Sequence, residues 1–153
     1  MKTFLLSCIC VLSLSVVASA PVPRQAMQTR SFDVDSTVLP DEQSTGIRVP
    51  ANAIISILDT SGKWSCNPDL PNVDISGHRG SIPAGLPVKR ARQCVLIGRV
   101  GTSGSWQAFK DNGDGRIILK AGPRSGQLFL GANDTNYTDN KGDITVFLQI
   151  TPN

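Results

Sequence analysis

Asp143-Ile144-Thr145-Val146-Phe147-Leu148-Gln149-Ile150 decides the fold of this chain. Apolar residues fill every second position: Ile144, Val146, Leu148 and Ile150. A period of two puts all four on one face of a β-strand. Thr145 and Gln149 fall on the other face, with Phe147 the apolar exception there. Working outward, short β-rich runs recur at 127–130, 116–119, 105–109, 95–100, 53–58 and 32–39, separated by Gly, Pro, Asn and Asp. Asp59-Thr60-Ser61-Gly62 and Asn112-Gly113-Asp114-Gly115 read as tight turns, because Gly and Asn take up positive φ readily. Many short strands at this spacing predict an all-β fold, a small antiparallel jelly-roll β-sandwich over residues 32–153.

The N-terminus carries a different signal. Met1-Lys2 supplies one charge, an apolar stretch runs from Phe4 to Val17, and Ala18-Ser19-Ala20 follows. This is the layout of a signal peptide over residues 1–20, cut after Ala20 or Ala18. The chain is therefore expected to be secreted and extracellular. The apolar stretch falls short of the roughly 20 residues that span a bilayer. No other segment approaches that length, so no membrane association is expected after cleavage. Residues 21–31 show no periodicity and include Pro21 and Pro23, which predicts a flexible N-terminal arm. The formal net charge is only +3, and the basic residues are scattered apart from Lys89-Arg90-Ala91-Arg92. Nucleic-acid binding asks for a denser footprint.

Cys8 and Cys10 leave with the signal peptide, and Cys66 and Cys94 remain. An even pair in an oxidising compartment reads as a disulfide. Two free thiols or a metal pair are the alternatives, and neither suits a secreted chain whose one histidine, His78, is distant in sequence. The bridge would close a loop of about 29 residues, worth roughly 3–4 kcal/mol on the chain-entropy argument. That loop holds Pro68, Pro71, Pro83 and Pro87 and little strand pattern. A long irregular excursion in a compact domain is usually functional or disordered.

The densest chemistry lies at residues 133–143: Asn-Asp-Thr-Asn-Tyr-Thr-Asp-Asn-Lys-Gly-Asp. Asp134, Asp139 and Asp143, with Asn133, Asn136 and Asn140, supply the oxygen ligands that calcium takes. Carboxylates this close repel unless a cation or solvent neutralises them. The competing reading is a polar hairpin loop, rich in Asn and Asp for their turn chemistry. A second acidic stretch, Asp111-Asn112-Gly113-Asp114-Gly115, has the look of an EF-hand loop, but glycines fall where side-chain oxygens are needed, and the twelfth position is Gly122. It reads as a hairpin turn.

Four pieces, in order, resemble the PA-IL-like lectins, a family of calcium-dependent, galactose-binding proteins. They are Ser44-Thr45-Gly46-Ile47, Ser61-Gly62-Lys63-Trp64-Ser65, Leu96-Ile97-Gly98-Arg99-Val100-Gly101, and Gly126-Gln127-Leu128-Phe129-Leu130 leading to Asn133-Asp134, Asp139-Asn140 and Gly142. The resemblance covers roughly residues 34–150 and implies a galactose-binding-domain-like jelly roll. It also implies a site. Asp134 matches an Asp that ligates calcium and touches sugar, and Asp139 and Asn140 match a consecutive Asn-Asn pair. The carbonyl of Asn136, before Tyr137, matches a main-chain ligand. A second main-chain ligand falls at Asn67, with Cys66 as its neighbouring alternative. Two adjacent sugar hydroxyls would complete the coordination. The segment from Asp134 to Asp139 is two residues shorter than in the family, and the family's sugar-contacting His followed by Pro is not reproduced: His78, five residues before Pro83, and Pro83 itself are the candidates in its place.

Two glycosylation sequons overlap this loop, at Asn133 and Asn136. Trp64 and Trp106 are candidate sugar-stacking platforms or core residues. The leading expectation is a secreted calcium-dependent carbohydrate-binding protein for galactose-type sugars, gaining avidity as a homo-oligomer. The alternatives are an interaction protein that keeps the fold without binding sugar, and a glycan-acting enzyme. The chain lacks Gly-x-Ser-x-Gly and His-Glu-x-x-His motifs, and a single His leaves no easy triad.

Overall fold

The computed structural model describes residues 26–80 and 82–153. The expected signal peptide, its cleavage site and the first residues of the expected arm lie outside the described residues. The strands are β1 (Gln28–Asp35), β2 (Ser44–Val49), β3 (Ile54–Ser65), β4 (Leu96–Val100), β5 (Gln107–Ala108), β6 (Lys110–Asp111), β7 (Ile117–Lys120), β8 (Gly126–Ala132) and β9 (Lys141–Thr151). They form two antiparallel sheets, ordered β1-β9-β3-β7-β6 and β2-β8-β4-β5. Among the described residues no helix forms. The fold is an all-β antiparallel sandwich.

β9 lies between β1 and β3, pairing along its length with both. Its alternation does what the sequence implies. Ile144, Val146, Leu148 and Ile150 are at most 1% exposed, while Phe147 faces outward at 38%. The facing sheet supplies Leu96, Leu128 and Leu130, also fully buried. Val34, Ile55 and Leu119 complete the same core. Fully burying each such aliphatic side chain is worth roughly 1.5–3 kcal/mol. Gly98 on β4 lies in close packing: a Cβ there would sit 2.9 Å from Leu119 Cδ1 and 3.0 Å from Phe109 Cε2, so those side chains would have to shift.

Four expectations need correction. Residues 28–31 belong to β1, paired with β9 from Gln28, and not to a flexible arm. β2 lies outside the strands expected from the sequence: Gly46 breaks its pattern, and its pairing with β8 shifts register between Ser44 and Arg48. Asp59-Thr60-Ser61-Gly62 does not reverse the chain. β3 runs straight through it, with a register shift between Ile57 and Asp59. The extra residue of the bulge is Leu58, and Asp59 to Gly62 pair regularly with Phe147 to Ile144; Gly62 takes φ 91° where a side chain would press on the Asp143 carbonyl. The expected run at 105–109 contains only the short β5, paired with β4, and β6 follows it at 110–111 in the other sheet, paired with β7, so the chain changes sheets at buried Phe109. Asn112-Gly113-Asp114-Gly115 is the β6–β7 turn as expected, closed by Asn112 N–H donating to the Arg116 carbonyl at 2.8 Å.

Cys66 and Cys94 are joined in a disulfide with Cα atoms 5.6 Å apart. The excursion between them is irregular, touching the sheets through bridges at Trp64↔Val73 and Ser76↔Val95. Trp64 is fully buried and its indole N–H donates to the Cys94 carbonyl at 3.0 Å. It is a core residue beside the disulfide and not a stacking platform. Trp106 is half-buried with the Arg99 guanidinium 4.7 Å from its ring centre.

Candidate metal centre

β8 ends at Ala132 and β9 begins at Lys141, and the oxygen-rich stretch forms the turn between them. Its first residue is a pin. Asn133 is fully buried. Its Oδ1 accepts from Val88 N–H at 2.9 Å, and its Nδ2 donates to the carbonyls of Val88 and Arg92 at 3.2 and 3.1 Å. This ties the turn to the second half of the stapled excursion. It also corrects the reading of Asn133 as a glycosylation site, because a glycan on this nitrogen is incompatible with the fold. Asn136 is exposed, and its Oδ1 accepts from Thr138 N–H and Oγ1–H at 3.3 and 2.8 Å. Tyr137 O–H donates to the Ala132 carbonyl at 3.0 Å. Burial pushes that phenol up to about 12, so it remains a neutral donor.

Asp134 is 2% exposed and Asn140 is 5% exposed. Asp134 Oδ1 accepts from Gln93 Nε2 at 2.8 Å. Asn140 Nδ2 donates to the Ser36 carbonyl at 2.8 Å, which commits the donor end of that amide to the β1–β2 connection. Three buried oxygens are then left without a hydrogen-bond partner: Asp134 Oδ2, Asp139 Oδ1 and Asn140 Oδ1. Buried oxygens without partners cost free energy, and such exceptions call for an explanation. The three residues lie within electrostatic reach of one another. Burial raises the Asp134 carboxyl above its ordinary value and the Asp139 charge adds to it, while Gln93, the Thr135 N–H and the Asn140 side chain pull the other way.

The donor set is hard. Among the described residues no three His, Cys, Asp or Glu gather into a metal-binding group. The donors near one another at this turn are two carboxylates and an amide oxygen, a set suited to calcium more than to zinc.

The other expected residues fall into place unevenly. His78 approaches Asp134 despite the sequence distance: its main-chain N–H donates to the Gln93 carbonyl at 2.9 Å. Its Nε2 is buried without a partner. Burial lowers the His78 pKa, and the nearby Asp134 charge opposes that. Pro83 is half-buried in its loop, but the residue of that loop placed against Thr135 is Gly85. The Asn67 carbonyl already accepts from Ser65 Oγ–H at 2.6 Å and Leu70 N–H at 3.1 Å. The Cys66 carbonyl accepts from Gln93 Nε2 at 3.2 Å, the same nitrogen that holds Asp134.

Two residues of the site escaped the sequence reading. Gln93 bridges the disulfide loop to Asp134, and Ser36 orients Asn140 through its carbonyl. Nothing in sequence marks Ser36. For Gln93 the one signal is its place beside Cys94.

The sequence matches no protein-family model and no curated protein. In structure the chain is similar to the N-terminal domain of EclA, a PllA-like lectin, with a TM-score of 0.50 and 23% identity over 79% of this chain and 95% of that one. The two share a fold.

Proposed function

We propose that this chain is a secreted carbohydrate-binding protein in which a calcium ion at the turn between β8 and β9 presents the sugar. The observation that carries the reading is the set of three unpartnered buried oxygens, on Asp134, Asp139 and Asn140. They fit a hard divalent cation, which would satisfy all three at once and offset the repulsion between the two carboxylates. The Asn136 carbonyl, and a main-chain carbonyl of the disulfide loop, would complete the protein ligands. For the second we favour Cys66 over Asn67, whose carbonyl is engaged twice.

Bound there, calcium would supply a centre to which two adjacent sugar hydroxyls coordinate in place of water. The chain's own residues do the rest. Gln93 fixes the rotation of the Asp134 carboxylate, and Ser36 fixes that of the Asn140 amide, so both present their free oxygens without reorganisation on binding. His78 stands beside Asp134 as a further contact for the sugar, and Pro83 remains a candidate on the neighbouring loop. The disulfide and the N-terminal leader pattern support placing the protein outside the cell.

A glycan array probed with and without a calcium chelator tests the reading. Binding to galactose-type glycans that disappears with chelator is the expected result. Signals that persist in chelator would contradict it. A calcium-loaded protein that binds no glycan would favour an interaction protein with the same fold.

A further inference from the structure

A cleft of about 470 Å³ lies on the stapled excursion, and Lys63, Arg79 and Arg92 line it together with Asp74 and His78. Lys63 comes from β3, and the two arginines from opposite halves of the excursion. Among the described residues the ion pairs are Arg99 with Asp41 and Arg116 with Asp114, so none of these three cations has a carboxylate partner. Asp74 is the single carboxylate of the cleft. Its Oδ1 accepts from Ser76 N–H at 2.8 Å, and that bond holds its carboxyl below the usual range, with Lys63 and Arg79 contributing less. One anion does not neutralise three cations. Residues 63–92 hold five basic and two acidic side chains, so this segment carries the whole formal net charge of +3. Like charges gathered in one concavity repel, and they favour an anion that enters between them.

The cleft adjoins the proposed calcium site. His78 lines it and donates its main-chain N–H to the Gln93 carbonyl, and Gln93 in turn donates to Asp134. A saccharide seated on the metal therefore has the basic cleft beside it.

We infer that the glycan is acidic: a saccharide carrying a carboxylate or sulfate, whose anionic group sits against Lys63, Arg79 and Arg92 while its hydroxyls face the Asp134 turn. This rests on the calcium-site reading above. Guanidinium groups match both oxyanions in fork geometry. A compact cleft with three cations suits one such group better than it suits a long polyanion backbone.

The test compares a neutral galactose disaccharide with its sulfated and its uronate counterparts. Affinities are measured by calorimetry with calcium, on wild type, Arg79→Gln, Arg92→Gln and the double variant. Neither side chain is among the proposed metal donors, and the Arg92 carbonyl that Asn133 uses is kept. The acidic sugars should bind more tightly, by up to about fivefold for each guanidinium, the size of an exposed ion pair. That advantage should fall in the double variant to what Lys63 alone supplies and shrink with salt, while the neutral sugar is unaffected. Sulfate preferred over uronate, or the reverse, identifies the oxyanion. Equal binding of acidic and neutral sugars to wild type would overturn this inference and leave the calcium reading intact. Acidic-sugar binding that keeps its dependence on Arg79 and Arg92 in excess chelator would support the cleft and overturn the calcium reading. A single-stranded oligonucleotide that competes as well as the sulfated disaccharide would overturn the inference, marking a general polyanion surface.

Discussion

Gln93 donates one side-chain nitrogen to both Asp134 Oδ1, at 2.8 Å, and the Cys66 carbonyl, at 3.2 Å. A residue next to one half of the disulfide thus holds the carboxylate of the candidate site and the backbone of the other half. The staple and the site are one construction, and a change in either is expected to be felt in the other.

Gln93→Leu should weaken calcium binding by roughly tenfold or more, the usual effect of removing a residue that orients a metal ligand. Stability without calcium should fall by about 1–2 kcal/mol through the lost hydrogen bonds. Calcium titration and urea melts in chelator measure the two effects separately. Unchanged calcium affinity would show that Asp134 needs no such support.

The disulfide makes its own prediction. Cys66→Ala with Cys94→Ala should lower stability by about 3 kcal/mol on the chain-entropy argument. Calcium affinity should fall as well, since Gln93 and the Cys66 carbonyl lose their fixed separation. Thiol titration of denatured, unreduced wild type should find no reactive group.

Asn133 separates its two readings cleanly. Asn133→Ala should cost about 2–4 kcal/mol, because Val88 N–H and two carbonyls lose their partner inside the fold. Secreted from a glycosylating host, folded protein should carry no glycan on Asn133, and peptide mass spectrometry would show it. A fully occupied Asn133 in soluble, folded material would contradict the packing described.

Much of this was legible in sequence, for particular reasons. The β9 alternation survives because one of its faces is wholly buried, and the β6–β7 turn because Asn-Gly-Asp-Gly admits few other conformations. Asp134, Asp139 and Asn140 were legible as oxygen donors from composition and from the lectin resemblance. What stayed hidden depends on tertiary partners. Asp59 to Gly62 has the residues of a turn, but pairing of β3 with β9 on both sides of it keeps the strand straight. Residues 28–31 look featureless alone and are ordered by β9. Asn133 looks like a sequon until Val88 and Arg92, more than forty residues away, are seen to claim its amide. Gln93 and Ser36 act on the site through bonds that no local pattern announces.

The central claim is that Asp134, Asp139 and Asn140 hold one calcium ion, and the most direct measurement is the thermal melt of chelator-stripped protein with calcium added back. Wild type should gain about 2.7 kcal/mol when calcium stands at 100 times its dissociation constant. Asp134→Asn, which keeps the shape and removes one charge, should gain much less at the same concentration. A wild-type melt that does not move between chelator and millimolar calcium would contradict the account.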